Sequence, residues 1–505
     1  MLKKIFVLYS AQIYKAIMPL IFVPVILRIL GSENYGLVAF FSMLISLVGL
    51  LDAGIGSTFI KLVSTNRFNE LKFKQVLAIF SKVCVFFLFV SLSVIAAFYF
   101  QANYIAEKWL NTTIEYDTVI ACMKLIGMIL GGMYLKSFLS SFINGMERQE
   151  LNAIWGVFYT SFFYIGSYFA LKYVSNNLVT FFQTILLVTL FDLLITILIM
   201  LYLSIKNIKY LEKNTKSGYE YENDEKLSFL NIIKFSLQLS GLSTIWVIAS
   251  QIDKIVLSKY VQLSDYAHYQ IAAQLAATIT IFTIPLTQYL LPRLSVLFHD
   301  GRFDDFINIF SKSLLAYVII VSPIIPFFFI FGDQLITLWV GSAELAVHIN
   351  IYAQWLVGGA FFVGLINFVF ICLYAQDKLK QHFYAYATYS AVAIPLSVLV
   401  AKFYGASYSA LFVFSHSLLF WIAWGGFYFF RNIPGLIIPF IIIIVATLGI
   451  SLIVFNGWYQ LMSLLMLPLI YVIVAPVINL LISMVIFYSF RMKFKKTLRR
   501  IKFQS

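Results

Sequence analysis

Apolar runs of roughly 20 to 28 residues, broken by short polar stretches, fill almost the whole chain. At a rise of about 1.5 Å per residue, each can cross about 30 Å of hydrocarbon as a helix. The pattern predicts fourteen spans, near 6–30, 36–60, 75–100, 117–143, 152–173, 179–205, 229–257, 266–292, 308–332, 346–374, 381–403, 406–430, 434–455 and 461–489. Segments of about ten residues with strict alternation, the mark of a membrane β-barrel, do not appear. The first run, Ile5 to Leu30, has no small-residue cleavage site and reads as a span rather than a signal peptide.

The pattern repeats. Ile79-Phe80-Ser81-Lys82 returns about 230 residues later as Ile309-Phe310-Ser311-Lys312, Trp109 as Trp339, Glu147-Arg148 as Asp377-Lys378 and Lys172 as Lys402. Upstream, Ser10, Gln12 and Arg28 line up with Ser236, Gln238 and Lys254 at a slightly smaller offset. A duplicated multi-helix half is a common transporter plan. The expected class is therefore an all-α polytopic membrane protein: two pseudo-symmetric six-helix lobes, 1–206 and 228–430, an extra helix pair at 431–490, and a basic tail at 491–505. The polar stretch 207–227, with Glu212, Lys213, Lys216, Glu220, Glu222, Asp224 and Glu225, reads as a linker. Six spans per lobe is an even number, so both lobes would share one orientation about an axis along the membrane normal.

Composition agrees. Of 505 residues, 61% are hydrophobic and 11% charged, with mean hydropathy +0.91, more apolar surface than a soluble chain can bury. The net charge of +14 concentrates in alternate loops and in the tail, from Lys3 and Lys4 through Lys206, Lys209 and Arg302 to Arg499 and Arg500. The positive-inside rule then places both termini in the cytoplasm. With no soluble domain to carry that charge, nucleic acid is not an expected partner. Cys84, Cys122 and Cys372 lie inside apolar runs and the five histidines form no ligand pattern, so no metal or cofactor is expected.

Polar residues deep in a span need a partner or a wet cavity, because even insertion scales set their cost at about 2.5–3.5 kcal/mol. Lys15 lies well inside span 1, on one face with Gln12 and Pro19; Pro19 and Pro24 invite bending there. Lys124 and Lys136 lie in span 4, Asp192 near the middle of span 6, and Asp52 interrupts span 2. Span 7 carries Ser236, Ser240, Ser243, Ser250 and Lys254 on one face, beside Asp253. Lys61 and Arg293 stand near the expected inner ends of the two lobes. Serine seams also serve close packing, Asp253 can neutralise Lys254, Lys61, Lys136 and Arg293 can snorkel, and an intramembrane salt bridge would explain Asp192. The excess is cationic, which suits an anionic substrate. Lys15, Lys124, Arg28, Lys61, Lys254 and Arg293 are the candidate anion-binding residues; Asp52, Asp192 and Asp253 are candidates for ion coupling or gating. Trp155, Trp246 and Tyr164 could stack on sugars, although packing explains most aromatics. No nucleotide loop, metal spacing, nucleophile elbow or large outer loop points to an enzyme.

Several segments resemble the Wzx-type O-antigen and capsule repeat-unit flippases of the multidrug/oligosaccharidyl-lipid/polysaccharide exporter superfamily. They are Arg28-Ile-Leu-Gly-Ser-Glu-Asn-Tyr35-Gly36, Asp52-Ala-Gly54-Ile-Gly56, Asn144-Gly145-Met146-Glu147-Arg148-Gln149, Ser250-Gln251-Ile-Asp253-Lys254, Leu291-Pro292-Arg293-Leu-Ser295 and Phe403-Tyr404-Gly405-Ala406. The resemblance implies a two-lobed, V-shaped, MATE-like fold working by alternating access in a bacterial inner membrane. It implies an undecaprenyl-diphosphate-linked oligosaccharide as substrate, a coupling cation (H+ or Na+) or the membrane potential as driving force, and a polysaccharide polymerase and chain-length regulator as partners. Rival readings are a lipid II flippase, a cation-coupled multidrug exporter and, in a different class, a membrane polysaccharide polymerase.

Overall fold

A computed structural model describes residues 2–49, 54–214, 229–432, 434–467 and 469–482. Among them there is no β-strand, only one isolated parallel bridge between Asn111 and Gln262. The helices are α1 (Leu2–Val48), α2 (Ile55–Asn66), α3 (Glu70–Tyr104), α4 (Tyr116–Gly145), α5 (Gln149–Ser161), α6 (Ser167–Tyr173), α7 (Leu178–Asn214), α8 (Phe229–Tyr260), α9 (Leu263–Ala277), α10 (Thr280–His299), α11 (Phe303–Val321), α12 (Ile324–Val340), α13 (Ala343–Ala375), α14 (Leu379–Phe420), α15 (Phe427–Asn432) and α16 (Pro434–Leu464). The protein is a multi-pass membrane protein, and among the described residues each of the fourteen predicted spans falls mainly on helix. Among the described residues nine helical runs are long and apolar enough to cross a bilayer, two of which, Val7–Val48 and Leu379–Phe429, each contain two predicted spans.

The breaks have local causes. Gly31 (φ 79°) interrupts α1 and Gly405 (φ 75°) interrupts α14, each in a left-handed conformation that glycine adopts without a side-chain clash. Pro19 and Pro24 lie inside α1, upstream of the Gly31 break. Predicted span 9 is divided at Ser322-Pro323 into α11 and α12. Predicted span 14 begins later than its hydropathy suggests: α16 runs on to Leu464, and helix resumes at Leu469. Residues 207–214, polar enough to read as linker, continue α7. Leu211 is buried, Asn207 donates to the Arg67 carbonyl (3.0 Å), and Lys74 pairs with Glu212 (3.2 Å). The remainder of that stretch and the basic tail lie outside the described residues.

Packing divides the chain into two compact units. Unit 1 is Met1–Gln251 with Gln262–Ser264; unit 2 is Ile252–Val261 with Asp265–Ser505. In unit 1, α4 packs against both α3 and α7, and α1 against α5. Its core is a ladder of rings: Phe87 stacks on Phe138 at 4.0 Å, Phe138 on Phe80 at 4.7 Å, and Phe59 meets both edge-on at 5.4 Å. Such ring pairs add about 0.5–1.5 kcal/mol each beyond area burial. Glu33 ties three connections of unit 1 together, accepting from Thr112 Oγ1 (2.8 Å), the Thr113 N–H (2.8 Å) and the Ser264 N–H (3.1 Å). In unit 2, α13 is the central helix, against α10, α12 and α14. The terminal pair belongs to this unit, held by buried hydrogen bonds from Ser322 to Thr447 (3.0 Å) and from Asn479 to Ser451 (3.1 Å).

The sequence repeat is visible in the backbone. Glu147 (φ 56°) and Asp377 (φ 57°) both adopt the left-handed conformation, uncommon for residues other than glycine. Each closes the same turn: Glu147 N–H donates to Asn144 and Arg148 N–H to Ile143, as Asp377 N–H does to Tyr374 and Lys378 N–H to Leu373. In unit 1 Arg67 grips Glu147 at 2.7 Å; in unit 2 His299 stands 3.4 Å from Asp377.

Candidate functional site

Unit 1 gathers its deep polar groups around Asp192 on α7. The carboxylate is almost fully buried, its side chain 5% exposed, and an isolated charge there would be prohibitively costly. Two partners compensate it. Lys136 on α4 lies 3.2 Å from Oδ2, and the Trp155 indole N–H on α5 donates to Oδ1 at 2.6 Å. Lys136 also sits 5.5 Å above the Tyr159 ring, whose phenol is buried next to Thr189. The salt-bridge explanation of Asp192 therefore holds, and Lys136 spends its charge there rather than at the interface. Trp155, a candidate for stacking on sugar, is also the second partner of this carboxylate.

Lys15 on α1 completes the group. Its ammonium lies against Gly156 on α5, where an added Cβ would stand 2.2 Å from Nζ. A larger residue there would push aside the end of the flexible lysine side chain. Lys136 and Asp192 both lie within electrostatic reach of Lys15. Among the described residues, no hydrogen-bond acceptor is found for its ammonium. Among the described residues, two half-buried lysines thus gather at one carboxylate, an excess of one positive charge in this group. Tyr14, the residue before Lys15, hydrogen-bonds Ser161 on α5 at 2.7 Å and fixes α1 beside it.

Unit 2 builds a different polar group. Asp253 on α8 is buried, paired with Lys254 at 3.2 Å, and accepts the Tyr269 hydroxyl at 2.5 Å. His416 lies within electrostatic reach of Asp253, and its ring contacts the Tyr389 hydroxyl. Here charge is balanced locally, as expected if Asp253 neutralises Lys254.

The other candidates stand apart from these groups. Lys124 faces the exposed Tyr99 ring at 4.7 Å; it is 12 residues from Lys136, about 18 Å along α4. Arg28, Lys61 and Arg293 are exposed. Asp52 lies outside the described residues, as do the side chains of Ser236, Gln238, Ser240 and Ser243. Gly156, Tyr159 and Tyr269 were not legible as site residues, and Trp155 only as a stacking candidate, because only their contacts give them these roles. Among the described residues no group of His, Cys, Asp or Glu could hold a metal ion.

Residues 1–298 match the family described as "Polysaccharide biosynthesis protein". No curated protein sequence matches the chain. Among solved structures, the lipid II flippase MurJ in an inward closed conformation superposes with a TM-score of 0.69 at 17% identity, covering 96% of this chain and 100% of that one. An inward-facing multidrug resistance transporter of the MATE family, in the MOP superfamily, gives 0.61 at 10% identity, covering 82% and 93%. A MATE transporter from Vibrio cholerae gives 0.54 at 12% identity, covering 84% and 96%. At these identities the likeness is one of fold.

Proposed function

Since the chain belongs to the polysaccharide biosynthesis protein family, we propose that it is a flippase moving undecaprenyl-diphosphate-linked oligosaccharide units across the bacterial inner membrane. The observation that carries this reading is the excess of positive charge, among the described residues, where Lys15 and Lys136 gather at Asp192. Its substrate's polar head is a diphosphate, and a lysine serves phosphate as a compact point charge. In a low-dielectric setting, an arriving anion would supply the compensation that Asp192 alone does not give to two lysines. The polyprenyl tail would stay in lipid, while rocking of the two repeats exposes the head to either side. Lys15 is the principal contact in this proposal; Lys124, Arg28, Lys61, Lys254 and Arg293 extend it as further anion-attracting positions. Asp52, Asp192 and Asp253 are proposed in coupling to a cation gradient or the membrane potential, Asp192 as the carboxylate that releases its lysines when the anion binds. Both termini are cytoplasmic in this scheme, and a polymerase and chain-length regulator act on the product.

Deletion of the gene tests it. Surface polysaccharide is lost and its lipid-linked precursor accumulates; the wild-type gene restores display and Lys15→Ala, at equal protein level, does not. The MurJ-like fold favours one second reading, a lipid II flippase. Lethal depletion with accumulated lipid II would establish that instead. Drug hypersensitivity without glycan loss would point to an exporter, and polymerising activity of the purified protein to an enzyme.

A further inference from the structure

We propose that the end of unit 2 formed by Lys259, Tyr260, Lys402 and Phe403 is a binding site for the phosphate headgroup of an anionic phospholipid. This site is separate from the Lys15 group and goes beyond the flippase reading. α8 ends at Tyr260, and the left-handed break at Gly405 ends the first half of α14 just after Lys402. Both lysines lean on one ring: Lys259 Nζ is 5.8 Å from the Tyr260 centroid and Lys402 Nζ is 5.9 Å from it. The two ammonium groups are therefore at most about 12 Å apart. Lys402 also lies 5.1 Å over Phe403. Among the described residues no carboxylate lies within ion-pair distance of Lys402.

Around these cations the surface is aromatic and open. Phe403 is 66% exposed, Tyr404 65%, Tyr408 58% and Tyr260 43%, far more than packing would leave for rings of this size. Exposed aromatics at helix ends sit at headgroup depth, where lipid phosphates lie. A lysine held flat on rings at that depth is pre-placed for phosphate, without the rotamer entropy a free lysine would lose. The repeat supplies an internal parallel. Lys172 in unit 1, the counterpart of Lys402, lies 5.6 Å and 5.4 Å over the rings of Tyr168 and Tyr173. Lys108, at the same expected membrane face, differs: it pairs with Glu107 at 3.2 Å and carries no such role.

The test is lipid retention by the purified full-length chain, read by native mass spectrometry after exchange into phosphatidylglycerol or phosphatidylethanolamine. Wild type is expected to retain phosphatidylglycerol preferentially. Lys402→Gln should reduce that preference about five-fold, in line with the contribution of one interfacial lysine. The double variant Lys259→Gln/Lys402→Gln should abolish it, while Lys108→Gln leaves it unchanged. Thermal unfolding of each variant in detergent establishes that the fold is intact. Equal retention of the two lipids by wild type, undiminished preference in the double variant, or displacement of the lipid by millimolar inorganic phosphate would each overturn the proposal.

Discussion

Asp192→Asn removes the one carboxylate that two lysines share while keeping side-chain size and an acceptor for Trp155. Its consequence follows from burial. Taking one partner from a buried ion pair costs about 3–5 kcal/mol, because the other charge is stranded. Lys136 is 26% exposed and can partly re-solvate, so the lower end, about 3 kcal/mol, is expected. At about 2–4 °C per kcal/mol for a cooperative unit of 150–250 residues, that is roughly 6–12 °C of melting temperature. Lys15→Met has the opposite sign. It removes one of two like charges gathered at a single carboxylate, so stability should be unchanged or higher. Melting of the purified variants in detergent, followed by tryptophan fluorescence, checks both. A destabilised Lys15→Met together with an unaffected Asp192→Asn would refute the reasoning, since it would make Lys15 the partner that Asp192 needs.

Other outcomes are expected from the same geometry. Gly156→Ala should push the Lys15 ammonium aside while keeping its charge, so polysaccharide display should fall, by less than in Lys15→Ala, at normal expression, measured by surface immunolabelling. Glu33→Ala removes the charged acceptor shared by Thr112, Thr113 and Ser264 and should lower stability by about 1–3 kcal/mol, read from thermal unfolding. Asp377→Gly relieves a left-handed residue and loses only a solvent-exposed pair with His299; a gain of up to about 1 kcal/mol is expected in the same assay.

The fold was legible wherever a single physical signal sufficed. Hydropathy fixes the number of spans, and the matching left-handed turns at Glu147 and Asp377 bear out a repeat first seen in a handful of side chains. Boundaries blurred where hydropathy and helix formation part company. Residues 207–214 are polar yet helical, because Asn207 and Glu212 find partners on neighbouring segments. The loop after α16 is apolar yet not helical. Of the site, Lys15 and Asp192 stood out by their cost in the bilayer. The partner choice of Asp192 did not, since Lys136 could equally have reached the interface and Trp155 could have packed like any other ring. Gly156 was invisible for the same reason: a glycine's absent side chain has meaning only beside the lysine it admits.

The central claim is that this protein carries a glycolipid diphosphate across a bilayer with the help of Lys15. The direct measurement uses purified protein in liposomes loaded with lipid-linked oligosaccharide extracted from the deletion strain, scoring transfer between leaflets by accessibility to an added glycosidase. Wild-type protein should expose the inner-leaflet pool, and Lys15→Met, equally folded, should leave it protected. Equal exposure by the two proteins, or none by either, would contradict the account.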